Sequence, residues 1–575
     1  MMRLKRASLP ELLYRTKNRL ENERLKRKVC KDCLSLPVPK INREDWSGLK
    51  MPEFKWDRSS SEPADLLKGK PYTLNEDESE LKAFEAGWRD SFFGDIGFNG
   101  NDPDIRAVWE PARLQHLTGL LAAGVSSHAD DALRMRQAVW SGVLDWIEKN
   151  PFLKGPHYLS PMECGLRIPV FVYALMANGH SMDEDRDRVL AAIYRHGWWV
   201  ARRLSLYASL GNHTVCECVG LIFAGAVFRE TPEGKAWLER GRMLLDRELY
   251  HQILEDGGPS EQSVSYHRFV LDLYWLAVDF LEKNRLAECS GWKTRLKRGE
   301  TFLSHFQTEG KMPLSIGDSD DGWAVAPGVY PCRYEPENRH NINGVMTFEQ
   351  SGVSLIRGDE GIVMTFDHGP LGMPPLYNHG HADALSITLQ YEGKEFLVDP
   401  GTFRYNGEPL FRHYFKGTRA HNTVTLDDQD QAVQETGFIW SSPFNSVLVE
   451  NRDTPQGYFL KARHNGYERL PGKVIHSRAV LFFNGRHFLI KDGFSGLREH
   501  KFEINFHIHP DAKIDEEGGW WEIARGQSAV YLRLIDGGQF GTSCGEESPV
   551  HGWYSPCYGV KKKCTVLHAT TRGKA

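Results

Sequence analysis

The sequence predicts a multidomain chain with separate α and β parts: an N-terminal array of helical hairpins, then an antiparallel β-sandwich. Three observations predict it. The chain has 575 residues, well past the roughly 250–300 at which one hydrophobic core stops growing. From about residue 78 to 308, apolar residues recur at steps of three and four, the helical period. Near residue 345 the pattern becomes strand-like, with Gly-bearing turns between short apolar runs. Helices followed by strands mark two layered domains rather than an alternating α/β sheet.

Residues 1–75 read as an irregular basic leader, with prolines at positions 37, 39, 52, 63 and 71. The segments 104–124, 131–150, 164–179 and 267–284 each carry a helical stripe. Asn150-Pro151, Gly179, Gly211-Asn212 and Gly257-Gly258-Pro259 are the breakers between them. Helices of this length joined by short loops suggest stacked hairpins, a solenoid or, if the array curves shut, a toroid. No fixed-period repeat is visible, which speaks against a consensus solenoid. The strand-like segments are 352–369, 384–401, 421–433, 477–494 and 501–510. Glu392-Gly393, Asn484-Gly485 and Asp492-Gly493 give turn signals. The boundary is expected in the polar, Pro-rich stretch 318–345. The expected divisions are therefore 1–75, 76–340 and 341–575, with a cleft between α and β domains as a natural place for a site.

Net charge is −5, from 71 basic and 76 acidic residues. Such a balance gives no support for nucleic-acid binding, and any acidic ligand must be met by local positive charge. No apolar run is long enough for a membrane span. The basic start lacks the apolar core of a signal peptide, so the chain is expected in the cytoplasm unless a leader was removed. Ten cysteines are scattered. Cys30 and Cys33 form a lone CxxC, a weak metal signal, and Cys216 and Cys218 on one helix cannot easily pair. Buried, reduced thiols are the expectation.

Four segments could carry chemistry. The densest joins Tyr377-Asn378-His379-Gly380-His381-Ala382-Asp383 to Val398-Asp399-Pro400-Gly401 and Arg419-Ala420-His421-Asn422. His381, Asp399 and His421 offer an N,O,N set suited to zinc, although from spacing alone hydrogen-bonded histidines at strand ends are the plainer explanation. Gly211-Asn212-His213 opens a helix carrying Glu217, and Asn212 would serve simply as its N-cap. Asp256-Gly257-Gly258-Pro259 leads through Glu261 to Tyr266-His267-Arg268, where a packing tyrosine is the plain alternative. Finally, Arg404, Tyr405, Arg412, His413, Lys416 and Arg419 make a local basic run, which by itself is usually a solvated face.

Taken together, DIRAVWEPARLQHL, GNHTVCECVGLIFAG, DGGPSEQSVSYHRFVLD, HGHADALSITLQYEGKEFLVDPGTFRY and FKGTRAHNTVTLDDQDQ, with GWYSPCYG near the end, resemble the heparinase II/III superfamily of polysaccharide lyases. These pieces occur in the family's order from about 104 to 560. The resemblance implies an incomplete α/α toroid followed by an antiparallel β-sandwich. It implies that Asn212, His213, Tyr266 and His379 are catalytic and that Arg268 binds substrate. Glu217, Arg404, Tyr405 and Arg419 are the further substrate-binding candidates. It implies His381 and Asp399 as zinc ligands, with His421 chosen as the third and His507 or His509 as the fallback. The metal is expected to be structural, and no organic cofactor is implied.

The implied reaction is β-elimination on an acidic, uronate-containing polysaccharide such as heparan sulfate, heparosan or another glucuronate polymer. It removes the C5 proton and expels the 4-O-linked sugar. The uronate carboxylate must be neutralised, a base must take the proton and an acid must protect the leaving oxygen. Asn212 and His213 suit the carboxylate, and Tyr266 with His379 suits the acid–base pair. Alginate or a bacterial exopolysaccharide is the alternative substrate. A hydrolase using Asp256 with Glu261 or Glu110, or a non-catalytic glycan-binding protein, is the alternative function.

Overall fold

The computed structural model describes residues 7–31, 34–56, 78–97, 102–125, 127–178, 183–207, 209–306, 314–336, 343–455, 457–535 and 537–575. Cys33, Pro63, Pro71 and Gly179 lie outside the described residues. The chain divides into two compact units. Unit 1 comprises 1–251, 269–294 and 323–333; unit 2 comprises 252–268, 295–322 and 334–575. These compact units interleave along the chain, and the segments around Tyr266 and Asp318 group with the strands.

Unit 1 is helical. Its longer helices are α1 (Leu9–Cys30), α2 (Glu78–Trp88), α3 (Ile105–Ala112), α4 (Gln115–Val125), α5 (Ala129–Lys149), α6 (Pro161–Asn178), α7 (Asp183–Arg202), α8 (Asn212–Val227) and α9 (Pro232–Gln252). They are followed by α10 (Val264–Lys283) and α11 (Ser290–Ser304), which the division between units crosses. Helix α1 corrects the expectation of an irregular leader. Ser8 caps it by accepting from the Glu11 N–H, and Leu, Glu, Arg and Lys, all good helix formers, fill its length. Buried Leu25 and Val29 tie it down, as does the Tyr14 hydroxyl donating to Leu204 O at 2.7 Å.

The single helix expected over 104–124 is two. Leu114 has φ 60°, which leaves the helical path, and Pro111 already weakens the last turn of α3 by supplying no N–H to the carbonyl four residues before it. Helix α8 is buried on every side, matching its nearly continuous apolar sequence. It lies directly on α6, where a Cβ on Gly220 would sit 2.7 Å from Gly165 Cα. Two short strands, 54–56 and 329–331, pair within this unit.

Unit 2 is rich in antiparallel sheet. A five-stranded meander runs β1 (Gly344–Phe348), β2 (Val353–Arg357), β3 (Val363–Asp367), β4 (Ile387–Tyr391) and β5 (Lys394–Leu397). Helix α12 (Pro409–Lys416) and β6 (Val424–Leu426) follow. A four-stranded meander runs β7 (Ser446–Thr454), β8 (Gly457–His464), β9 (Ile475–Phe483) and β10 (His487–Ser495). The next strands are β11 (Glu499–His507), β12 (Lys513–Glu517), β13 (Trp520–Arg525), β14 (Ser528–Leu532), β15 (Gly541–Cys544) and β16 (Thr565–Lys574). They form a sheet ordered β15-β16-β11-β6 and a three-stranded sheet β12-β13-β14.

All four sheets feed one core. Phe366 and Ile387, Val480 and Phe482, Phe506 and Leu567, and Ile523 represent the four in turn, and each such buried side chain contributes about 1.5–3 kcal/mol. Two of the three expected turns form, with successive positive φ at Glu392-Gly393 and Asn484-Gly485, as tight hairpins require. The third does not. Asp492-Gly493 lies inside β10, because Arg478 of β9 grips Asp492 from the facing position with bonds of 2.8 and 2.9 Å.

Among the described residues no helix is long and apolar enough to cross a membrane. The nine described cysteines are all free, and five of them are buried.

Candidate active site and metal centre

The chemistry of unit 2 gathers around Asp318, a fully buried carboxylate that no motif in the sequence singled out. Arg412 of α12 forks onto it, Nη1 to Oδ1 at 2.6 Å and Nη2 to Oδ2 at 2.8 Å. His379 Nδ1 reaches Oδ2 at 3.2 Å and His381 Nε2 reaches Oδ1 at 3.1 Å. Burial alone would push this carboxyl up. The Arg412 charge and the bonds from Arg412, His379 and His381 outweigh it and hold Asp318 well below the usual carboxylate range. An ionised carboxylate only accepts. His379 must therefore carry its proton on Nδ1, which leaves Nε2 to exchange a proton with a ligand.

The His379-Gly380-His381 turn fits here for a steric reason. A Cβ on Gly380 would sit 1.5 Å from Leu371 O, so this position admits only glycine. The His379 ring stacks on Tyr266, with centroids 3.9 Å apart and planes 30° apart, and its Nε2 lies 3.7 Å from Glu261 Oε2. Tyr266 stands in the first turn of α10, whose Ser263 accepts from the Tyr266 N–H at 3.1 Å. The Tyr266 hydroxyl is 2.7 Å from Asp320 Oδ2 and 2.9 Å from the Tyr405 hydroxyl.

His381, Asp399 and His421 bring one ligand atom each to within 4.8 Å of the others, all three buried. His421 Nδ1 donates to Gly417 O at 2.8 Å, and His381 Nε2 is committed to Asp318. Burial holds both rings neutral, His421 well below its ordinary value and His381 down to about 4. Their remaining nitrogens therefore present lone pairs to each other across 3.2 Å, with Asp399 Oδ2 3.7 Å from His421 Nε2. Facing lone pairs beside a carboxylate repel unless a cation lies among them. The donor set suits zinc, and Asp318 and Gly417 O are the outer partners that orient such imidazole ligands. His507 instead faces Asn422 and Tyr414, and His509 accepts from the Asp511 N–H.

Several expected residues take other positions. Glu217 is fully buried, and its two oxygens accept the Ser205 N–H at 2.6 Å and hydroxyl at 2.7 Å. It anchors the 205 loop and presents nothing to a substrate. Asn212 does not cap α8; Gly211 does, with φ 123°. Asn212 is buried in the first turn, and His213 beside it is partly exposed. Arg268 is buried, and its Nη2 points to Gly322 O at 3.4 Å.

The basic run 404–419 is not a solvated patch. Arg412 is spent on Asp318. Lys416 is fully buried and donates to Asn378 O at 3.1 Å and Gly437 O at 3.3 Å. Arg419 forks onto Glu503 at 2.7 and 3.3 Å. Arg404 lies 3.9 Å from Glu408. Tyr405 is buried with burial pushing its phenol up. Sequence reasoning missed Asp318 and Asp320. Their signal was the acid-dense Gly317-Asp318-Ser319-Asp320-Asp321-Gly322, read as a boundary linker.

Two of the alternative hydrolase carboxylates, Asp256 and Glu110, are engaged within the protein. Asp256 accepts the Gln350 and Ser351 N–H groups at 2.8 Å each and the Ser351 hydroxyl at 2.6 Å. Glu110 is held by Arg113 at 2.6 Å.

Comparison with known proteins gives a consistent family. Residues 108–323 match the heparinase II/III N-terminus and residues 343–574 the heparinase II/III-like C-terminal model. A heparin-sulfate lyase of Bacteroides stercoris is 22% identical over 483 residues, 73% of this chain and 66% of the relative. One of Pedobacter heparinus is 24% identical over 338 residues, 53% of this chain and 47% of the relative. The matched regions thus span between about half and just under two thirds of these relatives. A crystal structure of heparinase III superposes with TM-score 0.67 at 16% identity, covering 96% of this chain and 87% of that one.

Proposed function

We propose that this chain, which belongs to the heparinase II/III family, is a polysaccharide lyase that cuts a uronate-containing glycan by β-elimination. The observation that carries the reading is the stacked pair Tyr266 and His379, held by Asp320 and Asp318. It provides two proton-transfer groups on adjacent, oriented side chains, as removal of a C5 proton and protonation of a leaving oxygen require. We assign Asn212 and His213 to the uronate carboxylate, whose charge must be masked for an enolate-like intermediate to form.

The substrate class we favour is a low-sulfate or unsulfated glucuronate polymer such as heparosan. Strong sulfate selection needs free cations, and Arg412, Lys416 and Arg419 are engaged within the protein. His381, Asp399 and His421 would hold zinc, whose positive charge would tie three loops together; elimination consumes no water, so no hydroxide is asked of it. We also infer that the helices form an incomplete toroid and the sheets a sandwich, as the family resemblance implies.

The test is incubation with heparosan, heparan sulfate, hyaluronan, chondroitin, alginate and gellan-type polymers, read by the ultraviolet absorbance of unsaturated uronyl ends. We expect a rise on a glucuronate polymer that Tyr266→Phe and His379→Ala each abolish, by a hundredfold or more as loss of a general acid or base implies, roughly 10²–10⁴. Full activity in Tyr266→Phe would refute the assignment.

A further inference from the structure

Asp320 belongs to none of the family-like motifs, yet it touches the reacting tyrosine. We propose that Asp320 is a positioning residue that keeps Tyr266 protonated and so loaded as the general acid; this rests on the lyase reading above.

The phenol oxygen of Tyr266 meets Asp320 Oδ2 at 2.7 Å and the Tyr405 hydroxyl at 2.9 Å, both on fixed supports. An ionised Asp320 can only accept, so the Tyr266 proton points at it and Tyr405 donates to Tyr266. The Gly322 N–H holds the other carboxylate oxygen at 3.0 Å, which fixes the plane of the group. Proton direction along Tyr405, Tyr266 and Asp320 is thereby set.

A carboxylate in hydrogen-bond contact with a buried phenol disfavours the phenolate twice, through like charge and through the bond it makes to the neutral form. Charged or titratable groups near the phenol among the described residues include the stacked His379 with Asp318 behind it, Glu261, Arg268 at Gly322 O, and Arg412 over the Tyr405 ring at 4.8 Å. The Arg412 charge is matched by Asp318.

The step balances as follows. The C5–H bond breaks as His379 Nε2 takes the proton, and its electron pair becomes the C4–C5 double bond. The C4–O4 bond breaks, and O4 takes the Tyr266 proton as the hydroxyl turns from Asp320 toward the departing oxygen. Tyr405, donating to the same phenol oxygen, offsets the charge left there. Exchange with solvent then returns a proton from imidazolium to phenolate.

Asp320→Asn keeps the side-chain shape and removes the charge. In the full chain, a tyrosinate absorbance titration should show one tyrosine ionising at lower pH, by roughly one unit or more. That extra ionisation should vanish in Asp320→Asn with Tyr266→Phe, and Asp320→Glu should restore the wild-type curve. On a cleaved polymer, kcat should fall with KM little changed, and its alkaline limb should move to lower pH. Should Asp320→Asn fail to fold, Asp320→Ser carries the same expectation. A titration identical to wild type overturns the proposal whether or not any polymer is cut. A shifted titration supports it, and with no polymer cut it is the lyase reading that fails.

Discussion

At the scale of single residues, burial decides what an ionisable group does more than its place in a motif. Glu217 sits five residues from Asn212 and invites a role in binding, but its side chain is sealed in unit 1 against Ser205. Burial pushes its carboxyl up to about 8, and the two Ser205 bonds only partly offset that. A carboxyl raised in the folded state is most stabilising while protonated. Its contribution is complete below the unfolded value near 4.5 and is lost as pH rises through about 8. The linked free energy is on the order of 5 kcal/mol. Glu217→Gln is neutral at every pH and can accept from the Ser205 N–H while donating to its hydroxyl. We expect its unfolding free energy to decline less than wild type between pH 5 and pH 8, roughly the span of the two values, in denaturant titrations at each pH. Parallel declines in the two proteins would show that Glu217 is ionised in the fold.

At the scale of elements, the sequence revealed the periodic parts and hid the ones fixed by partners. Helices α5 and α10 and the β4–β5 and β9–β10 hairpins follow apolar spacing and glycine turns, which are local properties. The break at Leu114 and the strand through Asp492-Gly493 depend on tertiary partners that no local pattern displays. The site divides the same way. His379, His381, Asp399 and His421 stand in recognisable motifs, whereas Asp318 and Asp320 lie in a loop whose composition reads as solvent-exposed. The proposed metal ligands illustrate what such loops require. His381 precedes β4, Asp399 follows β5 and His421 precedes β6, so one ion would fasten three connections whose strands cannot position them alone. We expect one zinc per chain by elemental analysis after gentle purification. Strong chelation should lower the melting temperature by several degrees, since about 1 kcal/mol corresponds to roughly 2–4 °C in a domain of about 150–250 residues and the lost ion would be worth more than that. His421→Ala should bind no zinc and melt like the chelated protein. An unchanged melting temperature after verified zinc removal would count against a structural metal.

At the scale of the whole molecule, the interleaving of the two units has consequences for how the chain can be divided. A linear reading would cut it near residue 340 and treat 341–575 as a self-sufficient domain. Unit 2 is not so built: it takes 252–268 and 295–322 from before that cut. Those segments supply Tyr266, Asp318 and Asp320. Without Asp318, Arg412 is left as a buried guanidinium with no carboxylate, and His379 and His381 lose their acceptor. Removing one partner of a buried ion pair costs about 3–5 kcal/mol, against a total stability of roughly 5–15 kcal/mol for a typical domain. The apolar core shared by four sheets would remain, so collapse should persist while unique packing near α12 does not. We therefore expect the 341–575 fragment to be compact but to melt without a sharp transition, and to expose apolar surface to a hydrophobic dye. In the full chain, Asp318→Asn should reproduce the local part of this defect as a lowered melting temperature with the transition still cooperative. A 341–575 fragment that melts as sharply as the full chain, and as high, would mean that the earlier segments contribute reacting groups but little to the fold that holds them.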